Sequence, residues 1–294
     1  MKIVVLGGSG FLGSHVADAL SRKGHKVTIF DKKKSKWLKS NQKMCIGDIL
    51  NPKDLDRAIK GADFVFHFAA SASLEQALKH PINSVKANIL GTVLALEFSR
   101  KYKIKRFVHA STIYVNSVEG GFYRSSKRAA EDYVEEYKKI HGLNYTILRF
   151  GSLYGQRSDN TNGVRFILKE AITKNQISYT GSRKTTRRYI HVLDAAEACA
   201  DTLKAKYKNK HIIITGKKEI KMTEFLKNLS KILNISKEIS FKNRKTVGHY
   251  EATPYTYKFK KGQTLKLKSN IDIYSGVVKI IEEIKNEKNF YTYN

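Results

Sequence analysis

The first half of the chain alternates two hydrophobic periods. Lys2–Leu6 is a short apolar run of strand length, and Phe11–Lys23 then sets Leu12, Val16, Ala19 and Leu20 on one helical face. Lys26–Phe30 reads as the next strand, closed by Asp31. The alternation continues with a helix at Asp54–Lys60, a strand at Asp63–Phe68 and a long helix from near Pro81 to about Tyr102. Arg106–Ala110 is a strand, Tyr123–His141 an amphipathic helix stopped by Gly142, and Tyr145–Phe150 another strand. Alternation of this kind predicts parallel strands joined by helical crossovers: an α/β fold with a doubly wound parallel sheet.

After Phe150 the rhythm changes. Gly151–Gly163 is polar and loop-like, and a helix is expected from about Val164 to Lys174. Leu193–Lys204 reads as a helix, and His211–Thr215 as an apolar strand able to rejoin the sheet. Beyond Gly216 the chain is lysine-rich, with helices expected at Thr223–Leu233 and near Val277–Lys285. The expected organisation is one unit of residues 1–150 plus 190–215 and a smaller one of 151–189 plus 216–294. The smaller unit would cap the carboxyl ends of the strands, where ligands bind in open α/β sheets.

Composition narrows the class. Of 294 residues, 41% are hydrophobic and 28% charged, a balance that builds a core and excludes a disordered chain. No apolar run approaches the roughly 20 residues of a membrane span, so no membrane partner is expected. Two cysteines, Cys45 and Cys199, are too few for a disulfide framework or a zinc site. They read as buried small hydrophobes in a reducing, cytoplasmic setting. The histidines show neither HExxH nor Cys/His spacing, so no metal is expected.

The net charge of +29 could attract nucleic acid without specificity. It comes from 42 Lys and only 13 Arg, spread along the chain. Specific phosphate and base readers favour the forked guanidinium. RNP1, zinc-finger and basic-zipper patterns are absent, so no specific nucleic-acid partner is expected.

The chemistry begins at Gly7-Gly8-Ser9-Gly10-Phe11-Leu12-Gly13. Gly7, Gly10 and Gly13 follow a strand and open a helix. Such spacing allows a tight turn, close approach of backbone N–H groups to a pyrophosphate, and close packing of helix on sheet. A phosphate-binding P-loop would need Lys after Gly13, where Ser14 stands, and a nucleophile elbow would need glycine at Phe11. Asp31 can accept hydrogen bonds from adenosine ribose hydroxyls and would repel a 2′-phosphate, which favours NAD over NADP. Lys32, Lys33 and Lys34 follow at once and could soften that repulsion.

With these residues in view, the chain resembles the extended short-chain dehydrogenases/reductases, in their NAD-dependent nucleotide-sugar epimerase/dehydratase branch, over nearly its whole length. The glycine turn is followed in the family's order by Gly47-Asp48-Ile49, His67-Phe68-Ala69-Ala70, Asn88 with Gly91-Thr92, Ser111-Thr112 and Tyr123-Arg124-Ser125-Ser126-Lys127. Leu148-Arg149, Tyr154-Gly155 and Thr186–Val192 with Asp194 complete the series. The resemblance implies a Rossmann-like fold and an NAD site. Its residues would be Gly7, Gly10, Phe11, Leu12, Gly13, Asp31, Asp48, Ile49, Phe68, Ala69, Ala70, Asn88, Tyr123 and Lys127. It implies a nucleotide-diphosphate sugar contacted by Thr112, Ser152, Arg187 and His249. Asn88 is expected to position the active-site helix, and His67 to be a packed strand histidine. The resemblance also implies a homodimer joined through a four-helix bundle.

Tyr123 and Lys127 stand at i and i+4, so the ammonium can lie beside the phenol. Lowering a phenol from about 10 to about 7 takes roughly 4 kcal/mol, which the ammonium and an oxidised nicotinamide could supply together. Tyr123 then serves as the general base on a sugar hydroxyl, with Thr112 bonded to the same oxygen. Three departures from the family matter. Ten residues separate Thr112 from Tyr123, fewer than most relatives carry, although ten can still span beyond ~30 Å. Ile113-Tyr114 stand where 4,6-dehydratases carry Asp-Glu, which argues against dehydration. Ser152 stands where many relatives have Asn, and Gln156 where they have proline.

The expected activity is a 4-epimerase passing through a 4-keto sugar, within polysaccharide biosynthesis. A 4-reductase, a dehydrogenase or a decarboxylase stays open, the last needing a cation such as Arg183, Arg157 or Lys184 near the sugar C6. A non-catalytic dinucleotide-binding regulatory or RNA-binding protein is the alternative from another class.

Overall fold

The structure, a computed structural model, describes residues 1–242. The expected helix near Val277–Lys285, together with His249, Tyr250 and Thr253–Tyr255, lies outside the described residues.

The elements run β1 (Lys2–Leu6), α1 (Phe11–Arg22), β2 (Lys26–Asp31), β3 (Gln42–Ile46), α2 (Pro52–Ile59), β4 (Phe64–His67) and α3 (Leu74–Lys79). Next, α4 (Pro81–Ser84) passes through a π-helical turn, Val85–Leu90, into α5 (Gly91–Lys101). β5 (Arg106–Thr112), a 3-10 turn (Ile113–Asn116), α6 (Gly121–His141) and β6 (Tyr145–Phe150) complete the alternating half. Beyond it lie β7 (Ser152–Tyr154), α7 (Gly163–Lys174), β8 (Ser178–Thr180), β9 (Thr186–Arg187), β10 (Tyr189–His191) and α8 (Val192–Asp201). β11 (Lys210–Ile214), β12 (Ile220–Lys221), α9 (Met222–Ile232) and β13 (Ser240–Lys242) follow.

Seven strands form one sheet in the order β11-β6-β5-β4-β1-β2-β3, parallel throughout. This is the doubly wound order, with its reversal between β1 and β4, where such sheets open a ligand crevice. His211–Thr215 does rejoin the sheet, beside β6, with Ile212 opposite Leu148.

Alternate strand residues feed two cores. Ile3, Val5, Val27 and Ile29 meet Val16 and Leu20 of α1 and Ala196 and Cys199 of α8. Val4, Leu6, Phe30 and Val65 meet Leu55 and Ile59 of α2, Leu96 of α5 and Val134 of α6. A third core joins Ile167 and Ala171 of α7 to Met222, Leu226 and Leu229 of α9, away from the sheet. Cys199 is buried as expected, while Cys45 is only partly so.

Two elements of the alternating half are additions to the sequence reading. β3 has a polar edge, Gln42 and Lys43, and lies at the rim of the sheet, so its apolar signal is short. α3 is six residues, begun by Ser73, whose hydroxyl accepts from the Gln76 N–H. The loop expected at Gly151–Gly163 contains β7, which pairs in parallel with β10. Among the described residues no helix is long and apolar enough to cross a membrane.

Candidate active site

The glycine turn is dictated by close approach. Gly7 has φ +81°, and a Cβ there would lie 2.4 Å from the Ala69 nitrogen at the end of β4. A Cβ on Gly13 would lie 2.2 Å from the Gly7 carbonyl oxygen. Any side chain at either position would push α1 off β1 or shut the gap to β4. Gly10 caps α1 and brings no side chain to its first turn. The amino end of α1 is thus bare backbone, suited to an anion. The Leu12 side chain packs into the first core, which leaves only its backbone for a ligand. Phe11 packs edge-on against His15.

Beside this turn lies a cavity of about 550 Å³. Gly7, Gly10, Asp31, Ile49, Phe68, Ala69 and Ala70 line it, which brings half of the expected cofactor residues to one wall. Both Asp31 carboxylate oxygens accept backbone N–H groups, from Ser9 at 3.0 Å and Lys33 at 3.3 Å. Asp48 stands at the rim: it accepts the Leu50 N–H at 2.9 Å and pairs with Lys32 at 3.0 Å. Desolvation would raise its carboxyl, but the Leu50 N–H and Lys32 outweigh it and hold the group below the usual carboxylate range. Lys32, Asn83 and Lys86 also line the cavity. Asn83 and Lys86 carried no sequence signal, because only the π-helical turn decides which side of that helix faces the cleft.

The catalytic candidates stand on the next two elements. Thr112 ends β5, buried, and its hydroxyl accepts the Tyr114 N–H at 3.3 Å, which starts the 3-10 turn. Tyr123 lies in the first turn of α6 and Lys127 one turn on. Asn88 ties them to the cleft. Its Oδ1 accepts the Ser71 N–H at 2.7 Å, and its Nδ2 donates to the Ser71 carbonyl at 3.1 Å and to the Ser126 Oγ at 2.9 Å. Ser126 in turn donates to the Tyr123 carbonyl at 2.8 Å. Asn88 is fully buried, and both ends of its amide are engaged. Its side chain serves as framework between Ser71 and Ser126.

Charge at the site departs from the simple tyrosine–lysine picture. The Lys127 ammonium donates to the Ala110 carbonyl at 2.8 Å. Burial lowers it to about 8, against the pull of Glu131. Burial also pushes the Tyr123 phenol up, to about 12. The chain alone therefore keeps Tyr123 protonated, and activation needs further positive charge. His67 is buried, its Nε2 is 3.0 Å from Thr92 Oγ1, and burial pushes it down to about 3. It is a neutral packed histidine, as expected.

The sugar-side candidates are less gathered. Ser152 opens β7 directly after β6, opposite Tyr189 in the register. Arg187 sits on β9, paired with β12, and its Nη1 donates to the Thr186 carbonyl at 2.8 Å. Arg188 pairs with Glu219 at 3.4 Å. Of the cations considered for a uronate, Arg157 is committed to Asp18 at 2.8 Å and stacks 5.2 Å from the Trp37 ring centre. Arg183 lies 4.2 Å over the Phe241 ring. Among the described residues no three His, Cys, Asp or Glu side chains are grouped to hold a metal.

The family model described as the NAD dependent epimerase/dehydratase family matches residues 3–215. The chain belongs to this family. The epimerase/dehydratase chain is 28% identical to a putative UDP-glucose 4-epimerase of Methanocaldococcus jannaschii, over 97% of this chain and 98% of that one. It is 25% identical to UDP-glucuronic acid decarboxylase 1 of Arabidopsis thaliana, over 97% of this chain and 70% of that one. The UDP-glucuronic acid 4-epimerase of Bacillus cereus, solved with UDP-glucuronic acid and NAD, superposes with a TM-score of 0.78 at 25% identity, covering 85% and 88% of the two chains. This is therefore an NAD-dependent enzyme of the nucleotide-sugar epimerase, dehydratase and decarboxylase group, and the non-catalytic alternative falls away. The glycine cradle, the cavity and Asp31 are of the kinds NAD requires.

Proposed function

We propose that this chain is an NAD-dependent nucleotide-sugar 4-epimerase. The observation that carries the reading is Tyr123 and Lys127 at the head of α6, linked through Ser126 and Asn88 to the cofactor cleft, with Ile113 and Tyr114 after Thr112 in place of a dehydratase's acid pair. Bound NAD supplies an acceptor and donor for one hydride. Tyr123 would take the proton of the sugar C4 hydroxyl and return it to the same oxygen at the end of the cycle. The Thr112 hydroxyl holds the same sugar oxygen. Lys127, charged at neutral pH, holds the nicotinamide ribose and steadies the phenolate. Ser152 and Arg187 would contact the nucleotide sugar, with Arg187 forked on the diphosphate; His249, a further expected contact, lies outside the described residues. Among the described residues, 151–189 and 216–242 would form the substrate-side unit. The setting is the cytoplasm, in polysaccharide biosynthesis.

The relatives' names favour a UDP-hexose. Arg157 is committed to Asp18 and Arg183 lies over the Phe241 ring, while Lys184 has no ion pair among the described residues and keeps decarboxylation of a uronate as the second reading. The test is to release the bound nucleotide from purified protein by denaturation, identify it by mass spectrometry, and incubate native enzyme with UDP-glucose, UDP-galactose, UDP-N-acetylglucosamine and UDP-glucuronate. Stoichiometric NAD and a C4 epimer without added cofactor support the reading. Carbon dioxide from UDP-glucuronate, or turnover only with added NADH, would overturn it.

The enzyme is proposed to be a homodimer. Phe122, Tyr133 and Ile140 are exposed on α6 at spacings of eleven and seven residues, which fall on one side of a 3.6-residue helix. Ile82, Val85 and Leu90 are exposed on the α4–α5 helix. Two copies of these two helices would form a four-helix bundle.

A further inference from the structure

Asp31 stands between two cavities. One is the 550 Å³ cavity of the cofactor cleft. The other, of about 930 Å³, shares Gly10 and Asp31 with it and opens on the far side of the carboxylate. Its walls carry Lys33, Lys34 and Lys36 from the β2–β3 connection and Arg165 from α7. None of these four cations pairs with a carboxylate among the described residues, whereas Lys32 is held by Asp48 and Arg157 by Asp18. The carboxylates on this wall are Asp31, whose oxygens accept two backbone N–H groups, and Asp159, which accepts from Thr161.

A ribose held by Asp31 lies at the boundary of the two cavities. An anionic group on its edge would meet one carboxylate already bonded to backbone N–H groups, and several lysines with nothing to neutralise them. The lysines are long and flexible, and they share the lining of this cavity with Asp31. Trp37, the single tryptophan of the chain, lines the same cavity and is stacked by Arg157. We propose that this lysine-walled cavity receives the 2′-phosphate of NADP, so that the chain binds NADP as well as NAD. The proposal concerns dinucleotide binding alone and stands whichever sugar is the substrate.

The test uses the full-length protein, stripped of resident nucleotide with charcoal and equilibrated with equal excess NAD and NADP. It is then desalted and denatured, and the released dinucleotides are counted by mass spectrometry. A sample loaded first with NADP and chased with NAD fixes the equilibrium from the other side. NADP should make up at least about a tenth of the dinucleotide released, and Lys33→Ser/Lys34→Ser should lower that share about tenfold or more at unchanged NAD occupancy. Adenosine 2′,5′-bisphosphate should change Trp37 fluorescence more than 5′-AMP does, and added salt should erase the difference. A smaller NADP share overturns the proposal. So does a share that the lysine substitutions leave in place, or a parallel loss of NAD, which would make the lysines a general nucleotide clamp.

Discussion

At the residue scale the site is a problem of protons. Tyr123 must be deprotonated to act as base, yet burial pushes its phenol up to about 12. The Lys127 ammonium lies on the Ala110 carbonyl, where it does not by itself reverse that rise. In the proposed mechanism, proton removal would therefore need the positive charge of the bound oxidised cofactor. Tyr123→Phe should cut turnover by about 10²–10⁴-fold, the usual worth of a positioned base, while released NAD per chain stays constant. A variant that keeps full activity would remove Tyr123 from the mechanism. Lys127 makes a second prediction. Its folded value, about 8, lies below the ordinary 10.5, so above pH 8 the native chain has lost a proton that the unfolded chain still holds. Stability then rises with pH across the interval from about 8 towards 10.5, by at most roughly 3 kcal/mol. Urea denaturation from pH 7 to about 9.5 should show this rise in the nucleotide-free enzyme and not in Lys127→Met. An equal slope in both proteins would place its source elsewhere.

At the element scale, α6 carries both proposed catalytic side chains, and its inner face decides where they stand. Tyr123, Lys127 and Glu131 recur at four-residue spacing on that face. Glu131 is gripped by Arg149 of β6 through two parallel bonds of 3.1 Å and 2.6 Å. This pair is largely buried, with 18% and 5% side-chain exposure, while Arg22–Glu197 is half exposed at 51% and 45%. Removing one member of a buried pair strands the other. Arg149→Met should cost about 3–5 kcal/mol, whereas Arg22→Met should cost no more than about 1 kcal/mol. Denaturant midpoints of the two variants at pH 7 measure the contrast. Equal small losses would mean that Lys127 and His211 satisfy Glu131 without Arg149. The π-helical turn before α5 is the other decisive element: it sets Asn88 between Ser71 and Ser126. Asn88 and Thr92 stand out in the sequence as part of a family motif. Nothing in the sequence reading singled out Ser71 and Ser126 as partners of Asn88, because residues so far apart meet only when the π-helical turn packs on α6.

At the scale of the whole molecule, the α4–α5 helix and α6 expose apolar side chains among the described residues. Ile140 is 67% exposed and Ile82 68%. This is the stripe that the proposed dimer would cover. Sedimentation equilibrium should give twice the 33.5 kDa chain mass for the wild type, and the chain mass for Ile140→Lys combined with Ile82→Lys. A wild type that sediments as a single chain would leave the stripe without the partner proposed for it. The net charge of +29 belongs to this scale too. It should draw nucleic acid onto the protein at low salt, and screening should release it as ionic strength rises.

The sequence by itself determined the sheet, because period-two strands alternating with period-3.6 helices have few ways to bury both faces of a sheet. It also determined the cofactor turn, because the close approaches at Gly7 and Gly13 admit no side chain and are therefore visible as letters. The placing of Tyr123 and Lys127 on one helix face was legible for the same local reason. Only the tertiary structure decided the charges at that face. Burial and the Ala110 carbonyl come from β5 and its neighbours, not from the four-residue spacing, so the direction of the Tyr123 shift could not be read from the motif. The short strands β7 to β10, β12 and β13 also needed the fold, since two or three residues carry no period. The same is true of Arg157, which the sequence left open as a cation near a uronate C6 and which packing commits to Asp18 of α1.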